Sequence, residues 1–253
     1  MTLSHDVAGD GPAVLLLHSG VCDRRMWDPQ WPALLDAGHR VIRCDLRGFG
    51  DTPLAEKPYD NASDVLDLLD RLDVGETAIV GASFGGAIAL DIASRSPERV
   101  TALALLCTAF PGHEAGPEVR AFAEREDELL ESGDVDGAVE LNVTTWLGPE
   151  AGDATREQVR RMQRHAFDVQ LEADPEASPA KPTVEPAAVR ARCLAVSGAL
   201  DLPDFRSIAA RVPELIPGAD HLELDWAGHL PSLERPDETT ALLLRFLNGT
   251  STG

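Results

Sequence analysis

Basic residues are scarce in this chain: 22 Lys and Arg stand against 43 Asp and Glu, a formal charge of −21 over 253 residues. A surface so acidic repels phosphate backbones and anionic bilayers, so neither nucleic acid nor membrane is expected as a partner. Long apolar runs are missing as well. The longest, such as Ala13 to Leu17 and Ala102 to Cys107, fall far short of the ~20 residues that cross a bilayer. The opening Met1-Thr2-Leu3-Ser4-His5-Asp6 has neither the basic start nor the apolar stretch of a secretory signal. Together these absences predict a cytoplasmic protein. Cys22, Cys44, Cys107 and Cys193 form no C-x-x-C pair, so buried free thiols are expected rather than a zinc or redox site. There is no internal repeat and no low-complexity tract.

What is present is an alternation. Short aliphatic and β-branched runs at 13–17, 40–44, 77–80, 102–107, 193–196 and 221–224 are separated by helical patterns. This is the signature of βαβ units building a mostly parallel central sheet with helices on both faces. The near-continuous apolar character of the runs fits strands buried on both sides, and six are expected. Val65, Leu66, Leu69 and Leu72 recur at helical spacing after the capping candidates Asp60 and Ser63, and 241–247 form an apolar last helix opening near Pro236.

From about His113 the alternation stops, and 119–130, 135–147 and 157–169 read as helices with no strand between them. The expected organisation is an α/β core domain of residues 1–112 and 187–253, with a helical cap, 113–186, inserted in it. The cap carries 18 acidic and 7 basic residues, a net of −11, so its outer face must be solvated. The proline-rich run Ala173 to Pro186 reads as the hinge that returns the chain to the sheet.

Gly81-Ala82-Ser83-Phe84-Gly85 follows the run 77–80 and precedes the small residues Gly86, Ala87 and Ala89. A bare G-x-S-x-G arises by chance in roughly one chain of this length in ten. Its place between a strand and a helix makes it informative, because a serine on so sharp a turn needs glycine two residues away on each side. Such a turn presents the Ser83 hydroxyl at the carboxyl edge of the sheet, with a helix N-terminus behind it.

Serine needs a base to become nucleophilic. Of the seven histidines, His39 and His221 precede strands at the opposite edge, His5 lies near the terminus, and His113 and His165 belong to the cap. His229 alone follows the last strand, in Ala227-Gly228-His229-Leu230-Pro231, and is the expected base. A carboxylate must hold the imidazole in one tautomer. Ser197-Gly198-Ala199-Leu200-Asp201 ends in an acid at that edge, whereas Thr108-Ala109-Phe110 offers none. Asp201 is therefore the expected acid, with Asp204 and Asp225 as alternatives.

The oxyanion donors are expected to be the backbone amides of Phe84 and, in Leu17-His18-Ser19-Gly20-Val21, of Gly20, with Val21 the alternative. Val21, Trp146 and Leu230 are expected to touch substrate, with Phe167 a further cap residue at the pocket.

Taken in order, His18-Ser19-Gly20, Asp45-Leu46-Arg47-Gly48-Phe49-Gly50, Gly81 to Gly85, Gly198 to Asp201 and Gly228-His229 resemble the successive signatures of the α/β-hydrolase superfamily. They span nearly the whole chain outside the cap, in the order nucleophile, acid, base that belongs to that fold. The spacing from His18 to Trp27 and the single helical cap resemble the small bacterial esterases, the 3-oxoadipate enol-lactonases, the non-haem perhydrolases and the meta-cleavage C–C hydrolases. The resemblance implies framework roles for Asp45 and Arg47. Many such relatives have His-Gly where this chain has His18-Ser19, a departure that leaves the second oxyanion donor open and offers the Ser19 hydroxyl as a further one. Ser83 sets the chain apart from dehalogenases and epoxide hydrolases that use an aspartate nucleophile.

The expected activity is hydrolysis of a small carboxylic ester or lactone through an acyl-enzyme, without metal or organic cofactor. Two alternatives differ from it. One is C–C bond hydrolysis of a β-diketone-like acid, which calls for a basic cluster such as Arg160, Arg161 and Arg164. The other is a catalytically vestigial ligand-binding module on the same fold.

Overall fold

The computed structural model describes residues 2–172 and 178–249. Among these residues seven strands form one sheet: β1 (His5–Ala8), β2 (Ala13–Leu17), β3 (Arg40–Cys44), β4 (Thr77–Ala82), β5 (Val100–Leu106), β6 (Arg192–Gly198) and β7 (Asp220–Leu224). Their spatial order is β1-β3-β2-β4-β5-β6-β7. Every neighbouring pair is parallel except β1 with β3, where His5 lies opposite Cys44. The six expected strands are all there, and β1 is a seventh. His-Asp-Val-Ala carries no apolar run because it is a short, half-exposed edge strand.

Successive side chains alternate between two apolar layers. Val14, Leu16, Val80, Ala104 and Val196 pack with Leu34 of α1 (Gln30–Asp36) and with Leu242, Leu243 and Phe246 of α9 (Pro236–Leu247). Leu15, Leu17, Ile79, Leu105 and Ala195 pack on the other face. Their partners there are Val65 and Leu69 of α2 (Asn61–Arg71), Ile88 and Ile92 of α3 (Phe84–Arg95) and Val212 of α7 (Pro203–Leu215). Helices on both faces leave the central strands no solvent side, which is why they lack polar alternation. The capping reading of α2 is met by Asp60, whose carboxylate accepts the Ser63 N–H at 2.7 Å.

Between β5 and β6 the chain runs through α4 (Pro117–Glu131), α5 (Val135–Trp146) and α6 (Asp153–Gln170). Ala138, Val143, Val159, Met162 and Phe167 turn inward. Side chains of α6 dock on the loop after β3: Gln170 Nε2 donates to Gly48 O at 3.1 Å, and His165 Nε2 lies 2.8 Å from Gly50 O. Of the run read as the return hinge, residues 173–177 lie outside the described residues. In the described part of that run, Ala180 N–H donates to Tyr59 O at 2.6 Å before the chain reaches β6. All four cysteines are free and buried, and no described helix is long and apolar enough to cross a membrane.

Candidate active site

β4 ends at Ala82 and α3 begins at Phe84, so Ser83 makes the whole turn alone, at φ 49° and ψ −110°. A conformation so sparsely populated costs roughly 1–3 kcal/mol and persists only where its surroundings over-determine it. Here Ser83 N–H donates to Leu106 O at 2.9 Å, and Ser83 O accepts from Gly86 and Ala87 N–H at 3.0 and 3.1 Å. A Cβ on Gly81 would lie 2.6 Å from Gly85 O, and one on Gly85 only 2.5 Å from Leu17 O. Glycine is therefore required at both positions by collision with backbone.

The Ser83 hydroxyl lies 2.8 Å from His229 Nε2, and His229 Nδ1 lies 2.7 Å from Asp201 Oδ2. Three distant stretches thus meet at the carboxyl ends of β4, β6 and β7. The second Asp201 oxygen accepts the Leu202 N–H at 2.7 Å. A carboxylate beside Nδ1 keeps the proton there and leaves Nε2 free to accept from the hydroxyl. The side chains of Asp201 and His229 are 1% and 2% exposed, so this pair is shielded from water. Trp146 and Phe205 hold the imidazole plane, with ring centroids 4.7 and 4.2 Å away.

Cys107 lies close enough that one ligand atom each from Cys107, Asp201 and His229 fall within 4.8 Å of one another. Burial pushes its thiol well up, so it stays protonated. With the other two groups already bonded to each other, this trio is a poor donor set for a metal.

Of the alternative acids, Asp204 is engaged elsewhere. Asp204 accepts the Gly116 N–H at 2.6 Å and lies 2.8 Å from His113 Nε2. Burial works to raise its carboxyl, but those two donors outweigh it and hold it below the ordinary range. Asp225 is exposed. His18 Nε2 accepts the Leu46 N–H at 3.0 Å and its Nδ1 pairs with Ser19 O at 2.8 Å, tying together the loops after β2 and β3. Burial keeps that imidazole neutral. Asp45, fully buried, accepts the Arg24 and Asp51 N–H groups at 2.8 and 2.9 Å, and Arg47 pairs with Asp64 at 2.5 and 2.7 Å. Both are framework contacts.

Ser83 and His229 open onto a cavity of about 230 Å³ between the sheet edge and α4–α6. Ser19, Gly20 and Val21 line its sheet side, and Phe122, Trp146, Phe167 and Phe205 supply aromatic wall. Ser19 is 1% exposed and faces this cavity rather than solvent. Its N–H is directed to Met26 Sδ at 3.3 Å, and the Cys22 N–H is bonded to Ser19 O at 3.0 Å. The amides of Gly20 and Val21 remain as partners for that of Phe84.

Leu230 does not line the cavity. Its N–H is bonded to Glu234 Oε1 at 3.0 Å as α8 (Pro231–Glu234) begins, and its side chain is wholly buried in the core layer shared with α9. That expectation is corrected: the loop edge locates the backbone but not the direction of the side chain.

Two sets of residues escaped the sequence reading. Glu234, 8% exposed, accepts the Gly228 and Leu230 N–H groups at 2.7 and 3.0 Å, and the backbone amide of Gly148 as well. Burial pushes its carboxyl up against those amides. No sequence signal marks a helical glutamate as inward-facing. The cavity wall also contains Glu126, Asn142, Gln163 and Gln170, polar residues on helices whose charge pattern suggested only a solvated face. Arg160, Arg161 and Arg164 lie instead along a separate groove of about 840 Å³, which contains neither Ser83 nor His229. There Arg160 pairs with Glu157 at 2.6 Å and with Glu140, Arg161 with Glu157 at 3.3 Å, and Arg164 with Asp168 at 2.9 Å and with Asp136.

A serine on a strained strand-to-helix turn, with a histidine and a carboxylate brought to it from successive strand ends of a parallel sheet, defines an α/β-hydrolase architecture. The family model described as alpha/beta hydrolase fold matches residues 12–236, and the chain belongs to that family of enzymes. It is similar to the enol-lactonase from Burkholderia xenovorans LB400, with 27% identity and TM-score 0.78 over 97% of this chain and 96% of that one. It is also similar to a thermophilic esterase from Thermogutta terrifontis, with 25% identity and TM-score 0.81 over 98% and 93%. A stretch of 112 residues is 41% identical to a protein of Variovorax paradoxus (strain S110) named as carbamate hydrolase RutD, a match that covers 42% of either chain.

Proposed function

We propose that the protein hydrolyses small, uncharged carboxylic esters or lactones through an acyl-enzyme on Ser83. The observation that carries this reading is the unbroken series of hydrogen bonds from Asp201 through His229 to Ser83 at the wall of a cavity. Ser83 Oγ attacks the carbonyl carbon as its proton passes to His229 Nε2, and Asp201 steadies the imidazolium that forms. The resulting oxyanion accepts from the Phe84 amide and from that of Gly20 or Val21, donors each worth about 3 kcal/mol in comparable sites. Collapse breaks the C–O bond, and His229 returns the proton to the departing alkoxide, which in a lactone stays attached to the acyl chain. Water, deprotonated by His229, then attacks the Ser83 ester and releases the acid.

The cavity volume of about 230 Å³ favours a small substrate, since ligand pockets commonly span about 300–1,000 Å³. The lactonase and the esterase among the similar structures support the same class. A β-diketone-like acid would bring its carboxylate against Glu126, with neither Lys nor Arg in the cavity wall, which weighs against C–C hydrolysis. The intact hydrogen-bonded series weighs against a vestigial binding module. Values of kcat/KM for p-nitrophenyl acetate and butyrate, small lactones and a ring-fission acid test the proposal. Highest turnover on esters or lactones is expected, and a higher value for the ring-fission acid would overturn it.

A further inference from the structure

The cavity has two chemically distinct sides. Around Ser83 the free capacity is donating: the amides of Phe84 and of Gly20 or Val21, and the Ser19 hydroxyl. The helices between β5 and β6 add open acceptors to the other side. Asn142, 2% exposed, spends its Nδ2 on Glu126 Oε1 and, at 3.0 Å, on Ala138 O, while its Oδ1 accepts the Trp146 Nε1–H at 3.0 Å. An amide has two donor hydrogens, so Asn142 has none left for a ligand. Gln170 directs one of its two Nε2 hydrogens to Gly48 O at 3.1 Å.

Two acceptors in this wall remain open. Glu126 is half-buried in the cavity wall, with one oxygen bonded to Asn142 and the other free. Gln163 is 4% exposed and lines the same wall, and its Oε1 has no hydrogen-bond partner. A buried amide oxygen without a partner costs about 1–3 kcal/mol. A ligand N–H or O–H seated there relieves that cost.

We propose that Glu126 and Gln163 form an acceptor subsite, and that the preferred substrate is an ester or lactone whose acyl chain carries a hydrogen-bond donor such as an amide N–H. This rests on the hydrolase reading above. Asn142 acts as a positioning residue, fixing the Glu126 carboxyl and the Trp146 ring against the cavity.

The test compares p-nitrophenyl esters of N-acetylglycine and N-acetyl-β-alanine, each beside its N-methyl counterpart, which lacks the donor and differs by one methyl group. In the wild type kcat/KM should favour the N–H ester over its N-methyl partner about tenfold or more at one of the two chain lengths, the worth of a hydrogen bond to a charged or buried acceptor. In Glu126→Met and Gln163→Met that ratio should fall towards one. Because the ratio is taken within each variant, a change in overall activity or in the folded fraction cancels. No preference in the wild type, or an undiminished preference in both variants, overturns the subsite. No turnover of any ester, p-nitrophenyl acetate included, overturns the hydrolase reading itself and the subsite with it.

Discussion

At the scale of single residues, the account turns on which nitrogen of His229 carries a proton. Asp201 Oδ2, 2.7 Å from Nδ1, accepts from it and so leaves Nε2 basic towards Ser83. In Asp201→Asn an amide N–H can take that place, forcing the proton onto Nε2 while the volume is unchanged. A fall in kcat of about 10⁴-fold with an unchanged melting temperature is expected. Near-normal turnover would move the orienting role to Asp204 or Asp225. Ser83, Asp201 and His229 were legible because each follows a strand, and strand ends of a parallel sheet share one edge. Leu230, Glu234, Glu126 and Gln163 were not. Their roles depend on where a side chain points once helices have packed, and neither motif nor spacing encodes that.

At the scale of elements, Glu234 joins three segments. Its carboxylate holds the amides on both sides of His229 and that of Gly148, which begins the connection from α5 to α6. His229 N–H also reaches Trp146 O at 3.3 Å, at the end of α5. Glu234→Ala leaves these buried amides without an acceptor. At about 1–3 kcal/mol for a group left unsatisfied, partly relieved by entering water, a loss of about 3 kcal/mol in unfolding free energy is expected from denaturant titration. A fall in kcat should accompany it as the base loop loosens. Stability within about 0.5 kcal/mol of the wild type would show that the tie is idle.

Asp204 makes a second link, from α7 to Gly116 and His113 ahead of α4. Because its folded pKa is held below the unfolded value, it contributes stability above about pH 3.9, lost as pH falls through the folded value. Asp204→Asn should therefore lower the melting temperature at neutral pH and have much less effect at about pH 3. An equal effect at both would contradict the link. Helices α2, α4, α5, α6 and α9 were readable from the sequence and the strands from unbroken aliphatic runs, whereas α1, α7 and α8 were not singled out and β1 is too short and too polar to leave a trace.

At the scale of the whole molecule, the charge of −21 sets a field that anionic substrates must climb. From about 0.01 M to about 0.15 M salt the screening length falls from about 30 to about 8 Å. Over that range kcat/KM for an ester carrying a carboxylate, p-nitrophenyl hemisuccinate, should rise, while that for p-nitrophenyl acetate stays level. Equal responses of the two esters would contradict this. Fold class was legible at this scale because alternation of strand and helix leaves few ways to bury both sheet faces. The pocket was legible in part: Val21, Trp146 and Phe167 line it, whereas its polar wall forms only where α4–α6 meet the sheet edge.

The most direct measurement of the central claim is intact-mass and peptide analysis after treatment with a fluorophosphonate. The account predicts a single covalent adduct on the peptide containing Ser83, absent from a folded Ser83→Ala variant. A folded wild type that takes no adduct, or one that carries it on another residue, would contradict it.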